Sequence, residues 1–359
     1  MEPPEQTRSG GSLFFVMLEK KKMENKHIAP LIELASRFEG EEWRRAVDEA
    51  GRENEWFTPR QIEAAVRALR NDLLRPEQLR AWLDRYSLAE PTGRSVGIVM
   101  AGNLPLVGFA DLAAAVAVGC RVWVKPSSKD RALMEYVVRA LRQNGCEVEL
   151  LDALPAGATG WDGVIATGSD ATRDRFARQF AGLPMLLRGA RQSVAVLNGA
   201  ESDREVEGLS EDMFLYWGLG CRSVVRLFVP QGYDMTRLVA RLADCDREVH
   251  PKYEACYRYA RAMAAMGGER VVDGGFFLLR YLEMAAGPTV PKVGEVFWSE
   301  YRSEAEVADW LERHESALQC AAGAVPEAFP RRVRLGETQH PGWTDYADGI
   351  DTVRFLLSL

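Results

Sequence analysis

A cysteine follows two glycines in "LYWGLGCRSVVRLFVP", residues 215–230. Cys221 can act as a nucleophile only as a thiolate, and at an ordinary pKa only roughly a few per cent of a thiol is ionised at neutral pH. Arg222 adds a positive charge beside it, and Gly218 and Gly220 let a bound acyl group approach the backbone. A cysteine in front of a strand is also a common core residue. From this segment alone, Cys221 is either a nucleophile or a packing residue.

A second candidate, Asn103, lies in "MAGNLPLVGF", after a short apolar strand and two residues before Pro105. An amide donor at the carboxyl end of a strand can stabilise the oxyanion of an acyl-transfer step. An asparagine in that place can equally cap the helix that follows. The residues themselves leave both interpretations open.

Two further strand-to-helix turns carry polar residues. In "VWVKPSSKD", Lys125 ends a strand, and Ser127 and Ser128 precede the next helix, where we expect them to cap it. In "IATGSDAT", Gly168 and Ser169 stand between a strand and a helix N-terminus. Such turns can hold phosphate or ribose oxygens, although glycine and serine are common in any strand-to-helix turn.

Other frequent site signatures are missing from the sequence. There is no G-x-G-x-x-G, no G-x-x-x-x-G-K-[ST] and no H-E-x-x-H, and the four histidines share no ligand-like spacing. A metal site is therefore not expected, and any nucleotide has to be bound in another way.

Composition narrows the class of partner. A formal charge of -7 argues against nucleic acid and anionic membranes as partners. The six cysteines show no C-x-x-C pair, which indicates a reducing, cytoplasmic setting. The early apolar run "SLFFVML" is much shorter than the roughly 20 residues that span a bilayer. We expect residues 1–25 to form a flexible leader.

The positioning elements follow an alternating pattern. Helices fill the region up to about residue 90, one of them capped by Thr58 with Gln61 completing a capping box. Strands and helices then alternate, which predicts a parallel sheet covered on both faces. The predicted fold class is α/β, with a Rossmann-type cofactor domain and a second α/β catalytic domain. We place the helical layer and nucleotide-binding domain at 26–205, the catalytic domain at 206–325, and a C-terminal segment that packs back on the first domain at 326–359.

The order of these motifs resembles the aldehyde dehydrogenase superfamily, and within it the LuxC-type acyl-CoA reductases. The matching stretches are "AGNLPLVGF", "KPSSKD", "ATGSDAT", "RQSVAVL", "GLGCRSVVRLFVP", "HPKYEACYRYARA" and "DYADGIDTVRFL". The resemblance extends from about residue 55 to the carboxyl end and implies the aldehyde-dehydrogenase-like fold.

By this resemblance Cys221 is the nucleophile, and Asn103 with the Cys221 backbone amide forms the oxyanion hole. Lys125 and Ser128 are expected at the adenosine ribose, with Ser127 also binding the cofactor, and Gly168 and Ser169 are expected at the pyrophosphate and nicotinamide side. An acyl thioester then acylates Cys221, and hydride from the cofactor releases the aldehyde.

Departures from the family pattern refine this expectation. Arg188 or a neighbour replaces the glutamate that assists hydrolysis, which favours a reductase. Ser128 replaces a glutamate that would repel a 2'-phosphate, so NADPH is the expected cofactor, with NAD(H) as the alternative. Ala110 stands where these reductases usually carry a histidine, and the E-x-F-G-P stretch has no clear counterpart.

The expected function is NADPH-dependent reduction of a fatty acyl-CoA or acyl-carrier-protein thioester to an aldehyde. A protein partner that transfers the acyl group is an alternative donor. Two alternatives to the reaction remain: a cysteine acyltransferase without reductase activity, and a non-catalytic cofactor- or acyl-binding homologue. The absence of an insertion before "SVGIVM" indicates a monomer or an unusual oligomer and leaves the oligomeric state open.

Overall fold

The computed structural model describes residues 28–88, 91–155, 160–290 and 292–359. The leader expected at 1–25 therefore lies outside the described residues. The helices are α1 (28–35), α2 (Gly40–Glu53), α3 (Pro59–Ala68), α4 (Pro76–Leu83), α5 (Phe109–Ala117), α6 (Arg131–Gln143), α7 (Asp170–Gln179), α8 (Asp203–Phe214), α9 (Met235–Ala243), α10 (Pro251–Gly267), α11 (Glu304–Arg313) and α12 (Thr352–Leu357).

The strands form two sheets. They are β1 (Ser95–Val99), β2 (Arg121–Lys125), β3 (Val148–Leu150), β4 (Gly163–Thr167), β5 (Met185–Arg188), β6 (Gln192–Val196), β7 (Val224–Pro230), β8 (Val271–Asp273), β9 (Leu278–Tyr281), β10 (Glu295–Tyr301), β11 (Leu318–Gly323) and β12 (Arg332–Val333). The predicted alternation of strands and helices is confirmed.

The first sheet is parallel and has the strand order β3-β2-β1-β4-β5. The chain runs outward from β1 to β3 and then returns to the other side of β1, so the topological switch lies between β1 and β4. The Ala-rich helix α5 buries almost every residue against this sheet, because small side chains let a helix pack closely. Ligands of such sheets bind at the carboxyl ends of the strands beside the switch.

The second sheet has the order β12-β11-β6-β7-β10-β9-β8, in which β8 pairs antiparallel and the other pairs are parallel. We predicted a first domain that ends at residue 205. In the structure β6 instead pairs with β7 and β11 of the second sheet. The chain therefore crosses between the sheets at residues 189–191.

Helix α3 of the helical layer begins where the sequence predicts, but only one of the two hydrogen bonds of the expected capping box is formed. The Thr58 hydroxyl accepts a hydrogen bond from the Gln61 backbone N–H, with Pro59 at the first helical position. The Gln61 side chain does not complete a capping box; its amide nitrogen is buried without a partner among the described residues. The Thr58 hydroxyl donates to Glu248 instead, which joins the layer to the second domain.

The C-terminal segment contacts both domains. Trp343 stacks on Trp82 of the helical layer with ring centroids 4.2 Å apart. Helix α12 packs on α5, and the Leu359 side chain lies against Gly163 of β4. The turn Ala347–Gly349 packs on β11 of the second sheet. This segment therefore bridges the two domains.

Within the described ranges, no helix is both long and apolar enough to cross a membrane. The same residues contain no group of three or more histidine, cysteine, aspartate or glutamate side chains that could hold a metal ion.

Candidate active site

Cys221 lies on the turn that leads from α8 into β7, at the amino end of the second sheet. The turn requires two left-handed residues, Trp217 with φ 58° and Gly218 with φ 74°. The indole of Trp217 donates to the Trp56 carbonyl at 3.1 Å, which fixes the strained backbone. The hydroxyl of Ser193 donates to the Cys221 carbonyl at 2.9 Å. Cys221 is half-buried and has no disulfide partner.

Charges and burial act on the Cys221 thiol in opposite directions. Burial raises the pKa of the thiol most, and the nearby Asp348 carboxylate raises it further. A hydrogen bond from the Arg191 backbone N–H and the positive charges of Arg191 and Arg222 lower the pKa without offsetting the burial. The net pKa is raised, so the resting group is a protonated thiol, and attack requires an acceptor for its proton.

Asn103 meets the cysteine turn. Its side-chain amide donates to the Leu219 carbonyl at 2.8 Å, two residues before Cys221. Gly220 also lies close to Leu104, whose methyl group would be 2.9 Å from a Cβ at position 220. The helix-capping interpretation of Asn103 is wrong, because α5 begins later, with Gly108 as its N-cap. The structure therefore brings the Asn103 side chain to the turn that carries Cys221.

A buried carboxylate holds the loop that carries Asn103. Asp130 is completely buried and accepts a hydrogen bond of 2.9 Å from the backbone N–H of Leu106, whose φ is 58°. The loop that carries Asn103 also contacts the loop that follows β2, because a Cβ at Gly102 would lie 2.5 Å from the Cβ of Ser127. The Asn103 loop and the Lys125–Asp130 loop are thus one packed unit.

The predicted cofactor residues of the second loop lie together at the carboxyl end of β2. Lys125 is half-buried and its ammonium group donates to the Pro126 carbonyl at 2.8 Å. The Ser127 hydroxyl accepts from the Lys129 backbone N–H, and Ser128 is exposed. The expectation that these serines cap α6 is wrong, because a Glu53 carboxylate oxygen accepts from the first two N–H groups of that helix.

The β4–α7 turn is formed as predicted. Ser169 is the N-cap of α7, and its hydroxyl accepts from the Thr172 backbone N–H at 3.3 Å. The Gly168 N–H donates to the Arg188 carbonyl. On the crossover, the Ala190 N–H donates to the Asp170 carboxylate at 3.2 Å. Arg191 is the next residue, and its backbone N–H donates a hydrogen bond to the Cys221 sulfur. The β4–α7 turn and Cys221 therefore lie on either side of the short crossover 189–191.

Arg188 is a structural residue whose side chain joins α5 to α12. Its guanidinium forms an ion pair with Asp111 of α5 and donates to the Thr352 hydroxyl at 2.8 Å. Both charged side chains are nearly buried, at 4% and 13% exposure. The crossover 189–191 carries no carboxylate.

Sequence reasoning missed two residues of this site, Arg191 and Asp348. The Asp348 side chain is 4% exposed and lies 3.4 Å from the Arg191 guanidinium. Its second oxygen, Oδ2, has no hydrogen-bond partner among the described residues. The motif "DYADGIDTVRFL" supported the resemblance, but nothing local in it indicates that its second aspartate reaches the cysteine.

A family model described as "Aldehyde dehydrogenase family" matches residues 16–250, more than half of the chain. The N-succinylglutamate 5-semialdehyde dehydrogenase of Ectopseudomonas mendocina is 33% identical over 157 residues, covering 42% of this chain and 30% of that protein. The protein of that name from Burkholderia ambifaria is 28% identical over 164 residues, covering 44% and 32%. Those matches span about a third of the length of these curated relatives.

Solved structures agree with the fold. An aldehyde dehydrogenase C mutant from Pseudomonas syringae, complexed with NAD+ and octanal, has a TM-score of 0.62 at 14% identity, covering 87% of this chain and 76% of that one. A Mycobacterium tuberculosis aldehyde dehydrogenase complexed with NAD+ has a TM-score of 0.61 at 14% identity, covering 84% and 72%. At this identity the similarity establishes the shared architecture of two α/β domains.

Proposed function

Because the chain belongs to the aldehyde dehydrogenase family, we propose that it is a LuxC-type acyl-thioester reductase that uses Cys221 as its nucleophile. The substrate is a fatty acyl-CoA or an acyl-carrier-protein thioester, and the product is the aldehyde. The observation that carries the direction of the reaction is the ion pair of Arg188 with Asp111. By the resemblance, Arg188 or a neighbour stands where the family carries a glutamate that assists water. The Arg188 guanidinium is held by Asp111 and the crossover 189–191 carries no carboxylate, so that glutamate has no counterpart there.

The Cys221 sulfur attacks the carbonyl carbon of the thioester, a new S–C bond forms, and the donor thiol leaves. The carbonyl oxygen becomes negative during attack, and the Asn103 amide beside the turn stabilises it. The Cys221 backbone N–H makes no hydrogen bond to the described residues and serves as the second donor. Both donors come from rigid, packed turns, which keeps them in place before the reaction.

The residues at the carboxyl edge of the first sheet fit a nicotinamide dinucleotide. Gly168 and Ser169 start α7 beside the topological switch, where backbone N–H groups favour a pyrophosphate. Lys125, Ser127 and Ser128 line the neighbouring strand end for the adenosine ribose. We propose NADPH, since Ser128 is exposed and adds no negative charge near a 2'-phosphate. When bound, the cofactor supplies the hydride that reduces the acyl group.

The test is incubation with short- to long-chain acyl-CoAs, followed by mass spectrometry of the intact protein and by NADPH absorbance. We expect an acyl adduct on Cys221 and oxidation of NADPH, and loss of both in Cys221→Ala. Cys245→Ala is the matched control, because Cys245 is also half-buried but faces Arg241 on α9. Labelling that persists in Cys221→Ala contradicts the proposal, and an adduct without NADPH oxidation identifies the acyltransferase alternative.

Oxidation of an aldehyde to the acid is the second candidate. It is favoured by the identity to the semialdehyde dehydrogenases over 42% of the chain and by the Asp348 carboxylate near the thiol. Incubation with aldehydes and NAD+ or NADP+ distinguishes the two candidates. Free acid formed without added CoA supports oxidation, whereas aldehyde formed from acyl-CoA supports reduction.

A further inference from the structure

The Asp348 carboxylate is buried next to the cysteine turn without using all of its hydrogen-bonding capacity. Oδ1 lies 3.4 Å from the Arg191 Nε, and Oδ2 has no partner among the described residues. A buried carboxylate oxygen normally accepts hydrogen bonds, because leaving it unpaired is costly. An unpaired oxygen beside a nucleophile is therefore available to a group that arrives during reaction.

Arg191 connects Asp348 to the sulfur. Its side chain contacts the carboxylate, and its backbone N–H bonds to the Cys221 sulfur. The Arg222 guanidinium donates to the Asp345 carbonyl at 2.6 Å, which holds the same loop against the residue after Cys221. Asp348 and Cys221 thus share one neighbour on the crossover and lie at the amino end of the same sheet.

The backbone of Asp348 is held in a strained conformation. Its φ is 60°, in the left-handed region, and its N–H donates to the Gln319 side-chain oxygen at 3.0 Å. Gln319 also donates to the Tyr346 carbonyl, so β11 fixes both ends of the turn. Strain of this kind is concentrated at functional sites, where the surrounding structure maintains it.

Arginine side chains act on both members of the pair. Arg188, Arg191 and Arg331 lower the pKa of the Asp348 carboxyl, but burial raises it more, so its net pKa is raised. Arg191 and Arg222 face the Cys221 thiol from the crossover and from its own turn. A carboxylate with a raised pKa is a better proton acceptor than an ordinary surface aspartate.

We propose that Asp348 accepts the proton of the Cys221 thiol as the sulfur attacks an acyl donor. This inference rests on the proposed role of Cys221 as the nucleophile. As the S–C bond forms, the thiol proton moves to Oδ2 of Asp348, and the bond from the acyl carbon to the leaving group breaks. Asp348 then returns the proton to the leaving group or to solvent, so the carboxylate is regenerated and no redox partner is needed.

The first test measures the pH dependence of Cys221 alkylation by iodoacetamide, with the modified cysteine identified by mass spectrometry. The Asp348 charge raises the pKa of the thiol. Removing it in Asp348→Asn therefore lowers that pKa, and the rise in alkylation moves to lower pH. An unchanged profile would show that Asp348 does not face the thiol and would overturn the proposal.

The second test measures acylation by p-nitrophenyl acetate, an acyl donor that needs no nicotinamide cofactor. Although Asp348→Asn has the more acidic thiol, we expect its burst of p-nitrophenolate at neutral pH to be about 10²-fold slower. A residue that acted only through its charge would give a faster burst in the variant. A burst that is as fast as or faster than that of the parent protein overturns the proposal.

Two further variants separate proton acceptance from folding. Asp348→Gly suits a φ of 60° and removes the carboxylate, so it should fold and show the same slow burst. Glu327→Gln removes one carboxylate charge from the C-terminal segment at a side chain that is 94% exposed, and it should leave the burst unchanged. Neither alkylation nor the p-nitrophenyl acetate burst needs a thioester or NADPH. If the parent protein gives the burst but does not reduce acyl-CoA, the proposed substrate is refuted and the role of Asp348 is not.

Discussion

The Asn103 side-chain amide donates a 2.8 Å hydrogen bond to the Leu219 carbonyl, which joins the β1–α5 loop of the first domain to the cysteine turn of the second. The proposed oxyanion donor and the proposed nucleophile therefore come from different domains, and one direct contact joins the loops that carry them. Any change that separates the domains separates these two groups as well.

Asn103→Ala is expected to lower kcat of the proposed reaction by about 10² to 10³-fold, with a small change in KM, since the amide acts mainly on the developing oxyanion. Steady-state kinetics with an acyl-CoA and NADPH measure this. Asn71→Ala, on the exposed surface, serves as the control and should keep parent kinetics. An equal loss in both variants, or a change confined to KM, would contradict this role for Asn103.

Residue types and their local spacing were enough to predict much of the structure of the first domain. Ser169 stands between a strand and a helix N-terminus as the sequence predicts, and it caps α7 because a serine there satisfies a free backbone N–H within three residues. The Thr58 cap was predicted for the same reason, and only the reach of Gln61 was wrong. The alternation of short apolar strands with amphipathic helices predicted both α/β domains.

Contacts between residues that are far apart in the chain could not be predicted from the sequence. The run "MLLRGARQSVAVL" looks like one buried strand, but Gly189 and its neighbours divide it between two sheets. Glu53 replaces the expected serine caps of α6 from a helix that lies 78 residues earlier in the chain. Asp348 reaches the cysteine turn from the C-terminal segment. Hydrophobic periodicity does not indicate this contact, because it describes only neighbours along the chain.

Gly102→Ala should separate the Asn103 loop from the Ser127 loop, because the new Cβ would lie 2.5 Å from the Ser127 side chain. We expect a loss of about 1 to 3 kcal/mol in the free energy of unfolding, together with weaker NADPH binding. Urea unfolding and fluorescence titration measure the two effects. Gly51→Ala in α2 is the matched control, since its nearest contact is an ordinary 3.6 Å and it should be neutral or stabilising.

Arg188→Met should destabilise the protein by about 3 to 5 kcal/mol, because it leaves the nearly buried Asp111 carboxylate without its partner. The double variant Arg188→Met/Asp111→Leu should recover most of this loss in urea unfolding. Arg45→Met, which breaks an exposed pair with Glu41, should cost less than about 1 kcal/mol. If the double variant is as unstable as the single one, the pair is not the cause.

Ser128→Glu tests the basis of the proposed cofactor preference. Ser128 is exposed after the carboxyl end of β2, near Lys125. A carboxylate there would repel a 2'-phosphate and could accept a hydrogen bond from the 2'-hydroxyl of NADH. We expect the ratio of the Kd values for NADPH and NADH to rise by about 10-fold or more, which corresponds to about 1.4 kcal/mol.

Lys129→Glu adds a negative charge one residue later, on an exposed side chain, and should change the ratio less. Equal effects of the two variants would mean that overall charge, and not the residue at position 128, determines which cofactor binds.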